Sequence, residues 1–443
     1  MFKTLLLTAA AGLALAMAAP GIGCAAPSDP AERKMVETVQ ADHARNLKLL
    51  ESLVLVNSGS MNFKGVEQVG QMVRAELEPL GFQVRWSPMA AANRAGHLVA
   101  IHKGSGRGVH MLLIGHLDTV FELDSPFQGW TLKGNDIVEG PGTSDMKGGD
   151  VIMIAALRAM QAAGTLKDAD ITVVMTGDEE KRGAPLAVDR KDLIDAGHAN
   201  DVALEFEGLA RQNGQDIGSI ARRSSGAWTV RAHAKSGHSS GVCTPQAGCG
   251  AIYELARILD DFRRELPEPH LTYNVGLISG GSQATINPTE TGATASGKSN
   301  VISAEAIAMG DIRTLSPEQE ARVRAKMAAI VAKHLPKTQA EISFADTGYP
   351  AMAPTEASRK LLAKLNQVNT SLGLPQMPEG DPDKRGAGDI ALVSFLPGLL
   401  GLGMGGEGAH APGETADLKT MDVQAERAAL LMARLAKEPR PRP

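Results

Sequence analysis

Val109-His-Met-Leu-Leu-Ile-Gly-His116-Leu-Asp118 is the stretch that decides the fold class. From Val109 to Ile114 it is a near-continuous apolar run rather than an alternating one. That pattern belongs to a strand buried on both faces. Such strands sit in α/β sheets with helices on each side. The run ends at once in His116 and Asp118. Sheets of this kind hold their sites at the C-terminal ends of strands, in the loops that follow.

The alternation of strands and helices extends in both directions. Upstream, Val36, Val39, His43, Leu47, Leu50 and Val54 recur three and four apart, which predicts one helix over Glu32 to Val54. Val66, Val69, Val73 and Leu77 predict a second helix, from Gly65 into Leu80, ended by Pro79 and Gly81. Phe82–Trp86 and His97–His102 read as strands. Downstream come a helix over Gly148–Ala163 and strands at Ile171–Met175 and Val202–Phe206. The fold class is α/β, a mostly parallel sheet flanked by helices.

The pattern changes after Arg222. Ala227–His233 alternates like a half-solvated strand, and a helix follows over Gln246–Glu265. Strands at Leu271–Ile278 and Ala306–Arg313, a helix over Pro317–Leu335 and a strand at Ala340–Phe344 complete an α+β insert of β-α-β-β-α-β order. The predicted organisation is a catalytic domain in two parts, 27–223 and 347–437, around an inserted domain, 224–346. Helices over Glu356–Leu372 and Met421–Ala436 return the chain to the first fold, and the Pro-Arg tail 438–443 is expected to be disordered.

With 443 residues, two domains are the better expectation. Hydrophobic residues make up 43% and charged residues 21%, the profile of a globular protein. The formal charge is -5 and no basic tract occurs, so nucleic acid is not an expected partner. Lys3, the apolar run behind it and Ala26 follow signal-peptide grammar over residues 1–26. Pro20 and Gly21 interrupt the run and no basic stop follows, which argues against a transmembrane span. The expected destination is the periplasm or the exterior, with lipidation at Cys24 as the alternative. Cys243 and Cys249 either bridge in that compartment or remain reduced.

The acid-bearing strand ends carry the chemistry. Thr176-Gly-Asp-Glu179-Glu180 follows one strand and Glu205-Phe-Glu207 another, while Asp145 opens a helix from a Gly-rich loop. With His116 and the late His410 they form a plausible two-metal set that leaves Glu179 over to move protons. Amide hydrolysis needs an activated water and a Lewis acid on the carbonyl oxygen, and two neighbouring ions supply both. Asp145 is the candidate bridging carboxylate, and one His plus one carboxylate at each ion suits zinc. Asp118 is placed to accept the second N–H of His116, and Glu179 to act as general base. Glu205 and Glu207 point to the same face of a strand, so periodicity does not choose between them.

Gly115-His-Leu-Asp-Thr-Val-Phe121, Gly142-Thr-Ser-Asp-Met-Lys-Gly-Gly149, Thr176-Gly-Asp-Glu-Glu180, Glu205-Phe-Glu207 and Gly408-Ala-His-Ala-Pro-Gly-Glu414 together resemble the M20 family of zinc aminoacylases and carboxypeptidases, its bacterial glutamate carboxypeptidases most of all. The resemblance implies two zinc ions per subunit, other divalent ions being possible. His116 and Glu207 would hold one, Glu180 and His410 the other, with Asp145 bridging and Glu179 as base. It implies a cis peptide after Asp145. It also makes the insert a lid and dimerisation domain, with His238 reaching the partner's site in a homodimer. Asn300 would contact substrate, Arg313 would grip its free carboxylate, and the loop Gly386–Asp389 would lie near it. The implied activity is removal of a C-terminal residue, glutamate foremost, from a small peptide or N-acyl-amino acid. N-acyl-amino-acid deacylase and dipeptidase are the alternatives. A non-catalytic binding protein is disfavoured by the acid at position 179.

Overall fold

The computed structural model describes residues 27–288, 290–345 and 348–440. The expected signal segment 1–26 with Cys24, and the tail residues 441–443, lie outside them. Among the described residues no helix is long and apolar enough to cross a membrane.

The larger sheet has six strands in the order 83–88, 96–102, 171–176, 111–116, 202–205, 398–399. Met111–His116 runs parallel to both Ile171–Thr176 and Val202–Glu205, and Gly398–Leu399 adds parallel to the latter. Gly96–His102 is antiparallel to both its neighbours. The central strands are apolar on both sides, as their sequence requires. Met111, Leu113, Val173 and Leu204 enter one core layer, and Leu112, Ile114, Val174 and Ala203 the other. Three parallel strands therefore end side by side, delivering His116, Thr176 and Glu205 to one edge.

The helix Lys147–Ala162 is buried almost throughout and starts against that edge. A Cβ on Gly149 would lie 1.8 Å from the Phe206 carbonyl oxygen, so only glycine lets the helix N-terminus approach the strand end. At Gly81 the chain turns with φ 90°, closing the helix Phe63–Leu77 and the short turn Glu78–Leu80 behind it.

The second sheet is antiparallel, formed by Gly226–Ala234, Glu305–Arg313, Thr338–Phe344 and the short strands Thr272–Tyr273 and Leu277–Gly281. Helices Ala251–Glu265 and Pro317–Val331 cover one face, around Trp228, Val230, Phe262, Ala308, Met327 and Ile330. This is the β-α-β-β-α-β order read from the sequence.

Four details differ from the sequence expectation. The first helix is two, Pro30–Ala41 and His43–Val54, because Asp42 leaves helical geometry at ψ 2°. The expected strand over 271–278 breaks at Asn274–Gly276, where a Cβ on Gly310 would lie 1.8 Å from the Asn274 carbonyl oxygen. A hairpin, Gln283–Ile286 with Ala293–Ser296, was not anticipated. Residues 438–440 are held rather than disordered. Glu438 pairs with Lys364, Pro439 bridges to Gly108, and Arg440 contacts Asp201 at 3.0 Å. Cys243 and Cys249 are joined in a disulfide, in the loop between His238 and the first helix of the insert.

Candidate metal centre

His116, Asp145, Glu180 and His410 converge although 29 to 294 residues separate them along the chain. His116 Nε2 lies 3.1 Å from Asp145 Oδ1. His410 Nε2 lies 3.0 Å from Asp145 Oδ2 and 3.1 Å from Glu180 Oε2. One carboxylate thus offers a different oxygen to each imidazole. Ligands about 2.0–2.1 Å from a tetrahedral ion stand about 3.3 Å apart. The donor spacing, the N/O donor set and the shared carboxylate all fit bound divalent ions. Two groups of potential ligand atoms lie within 4.8 Å of one another here: Asp145 with Glu180 and His410, and His116 with Glu179 and Glu180.

Hydrogen bonds to Asp145 and Glu180 push His410 up to about 11. Burial opposes charging of His116, but Asp118 and Asp145 outweigh it and hold the ring well above its usual range. Burial likewise opposes the Asp145 anion, and the two histidines overcome it and hold the carboxyl far below its usual range. Burial pushes Glu180 up to about 7 and Glu179 well above the carboxylate range, the latter helped by Glu207.

Beneath the site, Asp118 has a wider role than the sequence suggested. Its carboxylate accepts from the Glu179 N–H at 3.0 Å, the Glu180 N–H at 3.1 Å and the Ser60 hydroxyl at 2.6 Å. His116 Nδ1 is closer to the Asp118 carbonyl, 3.1 Å, than to the carboxylate, 3.5 Å. Asp118 therefore fixes the base-bearing loop as well as the ring. From the other side Tyr349 donates to the Glu179 carbonyl at 3.2 Å and to Asp389 at 3.1 Å, and Asp389 also accepts from Thr176 and Arg190. The peptide between Asp145 and Met146 is cis, as the motif implied.

A cleft of about 300 Å³ opens over these groups, lined by Asp145, Glu179, Glu207, Arg222, Arg385 and His410 among others. Glu205 and Glu207, left open by periodicity, separate in space. Glu205 is buried, taking Arg222 at 2.8 Å and the Ile390 N–H at 2.9 Å. Glu207 faces the cleft and pairs with Arg222.

Peptidase family M20/M25/M40 matches residues 112–436, most of the chain and every part of this centre. The chain belongs to this family. It is thus an enzyme of metallopeptidase and amidohydrolase type. It is similar to carboxypeptidase G2 of Pseudomonas sp. (strain RS-16), 26% identical over 376 residues, covering 82% of this chain and 83% of that one. It is also similar to succinyl-diaminopimelate desuccinylase of Novosphingobium aromaticivorans, 30% identical over 287 residues, covering 61% of this chain and 70% of that one. Among solved structures, a Staphylococcus aureus tripeptidase superposes with a TM-score of 0.67 at 17% identity, over 89% of this chain and 99% of that one. A dinuclear metal-binding M20 peptidase from Bacillus subtilis superposes with a TM-score of 0.62 at 17% identity, over 90% and 99%. These superpositions show the M20 fold.

The residues assigned to the insert of this M20 chain lie apart from the cleft. His238 is exposed, its Nδ1 2.8 Å from the Ser240 hydroxyl, and its turn is tied to Asn300 through the Ser239 N–H. Arg313 is held 3.2 Å from Asp311. None of the three lines the cleft formed by their own chain.

Two residues of the M20 centre escaped the sequence reading. Glu414 accepts from the N–H groups of Gly142, Ser144 and Asp145 at 2.9, 2.8 and 3.0 Å. Its place at the end of the His410 motif was the available signal. Arg222, which binds both Glu205 at the end of the 202–205 strand and Glu207 just beyond it, was visible only as the point where the pattern changes.

Proposed function

We propose that this M20 enzyme is a di-zinc exopeptidase that hydrolyses the amide bond to a C-terminal amino acid, glutamate foremost. The observation that carries the reading is the position of Glu179. Its carboxylate lines the same cleft as Asp145 and His410, while its backbone is pinned by Asp118 and Tyr349. His116 with Glu207 and Glu180 with His410 would hold the ions, and Asp145 would join them. Bound zinc supplies a Lewis acid for the scissile carbonyl and lowers the pKa of water. Glu179 then takes a proton from the attacking water and delivers it to the leaving amine. Burial raises the proton affinity of Glu179, which suits a group that must hold a proton between these two events. The likeness to a desuccinylase supports N-acyl-amino-acid deacylation as a second reading.

The working unit in this proposal is a homodimer in which His238 and Asn300 complete the partner's cleft. Exposed Ile252, Tyr253 and Ile278 on the insert support it. Among the described residues, Ile278 lies on a strand paired on one side only, by Glu305–Arg313. Export by residues 1–26 to the periplasm or exterior completes the proposal, and the disulfide of the insert is consistent with that compartment.

The test is a panel of N-acyl-glutamates, folate-like substrates and dipeptides on the purified, metal-loaded protein. Glutamate-terminated substrates should turn over fastest, and chelation should abolish turnover. Activity that survives complete removal of metal, or no preference for a free C-terminal residue, refutes the assignment.

A further inference from the structure

The cleft is rich in carboxylates, so an anionic substrate needs a cation there that is not already engaged. Arg222 is engaged. Its Nη2 and Nε bind Glu205 at 2.8 and 3.1 Å, it pairs with Glu207, and its Nη1 donates to the Ala387 carbonyl at 2.7 Å. The buried arginines elsewhere are likewise committed to carboxylates: Arg158 to Glu76, Arg190 to Asp178, Asp189 and Asp389, and Arg427 to Asp216. Arg182, Arg223 and Arg324 each have one unpartnered buried guanidinium nitrogen, but none of them lines the cleft.

Arg385 is different. Its Nη2 donates to the Gly208 carbonyl at 3.3 Å, and its Nε–H is buried without any acceptor. Among the described residues no carboxylate stands within ion-pair distance of it. Glu207, Glu205 and Asp145 act on it only from further off, while burial and the neighbouring Arg222 work against its charge. A buried guanidinium N–H without a partner is costly to keep, and such groups call for an explanation beyond packing. The loop beside it leaves room. Gly386 and Ala387 also line the cleft, and a Cβ built on Gly386 would meet nothing within 4 Å.

We propose that Arg385 is a substrate-binding residue that receives a carboxylate of the substrate on the Nε edge of its guanidinium. The planar fork of Arg suits two parallel bonds to a carboxylate. This places anion recognition in the catalytic part of the chain, where the resemblance had placed it on Arg313 of the insert. It rests on the exopeptidase reading for the kind of substrate. The carboxylate comes either from the α position of the leaving residue or from its side chain, and the experiment separates the two.

The full-length, metal-loaded protein and its Arg385→Met and Arg385→Lys variants are assayed on N-acyl-glutamate, N-acyl-glutamine and the α-amide of N-acyl-glutamate. In parallel, binding of glutamate, glutamine and glutamate α-amide is measured by calorimetry. Arg385→Met should lower kcat/KM, and weaken binding, by roughly 10- to 100-fold wherever the recognised carboxylate is present. It should have less than about twofold effect on the analogue lacking that group, since the lost bond is then absent from both proteins. Insensitivity of the glutamine compounds identifies the side chain, and insensitivity of the α-amides identifies the α-carboxylate. Arg385→Lys keeps the charge and should recover part of the loss. Equal losses on all three compounds, or none on any, with metal content and Tm unchanged, overturn the proposal. If Arg385→Met does not fold, the same pattern across compounds is read from Arg385→Lys alone. If the wild type hydrolyses no compound, the exopeptidase reading fails, and the binding data still decide the role of Arg385.

Discussion

Replacing Glu414 tests how the bridging carboxylate is held. Glu414 touches no proposed ion, yet one of its oxygens accepts from the Ser144 N–H, the Asp145 N–H and the Ser144 hydroxyl, at 2.8, 3.0 and 3.0 Å. The other accepts from the Gly142 N–H at 2.9 Å. Glu414→Gln can keep its single carbonyl oxygen on the crowded side. Its amide N–H₂ then faces the Gly142 N–H, donor against donor. One charge-assisted bond is lost and one buried donor is left without a partner, a cost of about 1–3 kcal/mol. Glu414→Ala strands all three backbone N–H groups, and three such penalties total roughly 3–9 kcal/mol if no water enters. That is comparable with the whole stability of a domain, so the loop should rearrange and release Asp145 from its position between the histidines. Chelator-competition titration should show metal affinity falling by roughly tenfold or more in Glu414→Gln and further in Glu414→Ala, with kcat falling in parallel. Unchanged affinity and unchanged kcat in Glu414→Ala would refute the reasoning, because the loop would then hold Asp145 without its anchor.

Glu179→Gln should retain its ions and bind substrate normally while kcat falls by at least ~10²-fold; a normal kcat moves the base elsewhere. Asp145 and Glu180 push His410 up to about 11, so an ion taking its Nε2 should displace a proton. Metal affinity should therefore rise with pH, by about 10²-fold from pH 6 to pH 8 for one proton released, and a flat titration would contradict the ligand assignment. Glu426 is buried in the last helix and burial pushes it up to about 7 from 4.5. Its folded pKa exceeds its unfolded one, so stability falls as pH rises through that interval. Glu426→Gln should raise Tm at pH 8, by an amount worth roughly 3 kcal/mol at most, and leave it nearly unchanged at pH 4; a lower Tm at pH 8 would reject the burial argument. Mixing His238→Ala with Glu179→Gln subunits should restore up to half the wild-type sites, because one site of the heterodimer has its own Glu179 and the partner's intact His238; verified heterodimer without activity removes the in-trans role.

The sequence by itself determined the parts that depend on local periodicity and on motif order. Continuous apolar runs marked the buried strands of the larger sheet, and alternation marked the strand at 226–234, because burial on two faces or one is written every second residue. The acids and histidine that end those runs were legible as a site because parallel strands finish on one edge. Local breaks were not legible. The step at Asp42 and the strand break opposite Gly310 arise from how the elements meet the core, not from composition. Strand periodicity makes Glu205 and Glu207 equivalent and only the resemblance favoured Glu207; the tertiary structure decided that Glu207 lines the cleft while Glu205 is buried against Arg222 and the Ile390 N–H. It likewise decided that Glu414 anchors the Asp145 loop, across a separation of 269 residues, and that Arg385 faces the cleft without a carboxylate partner. The physical reason is common to all three. Hydrogen bonds and desolvation are set by which groups are left facing one another once the chain has closed, and neighbours in space are not neighbours in sequence.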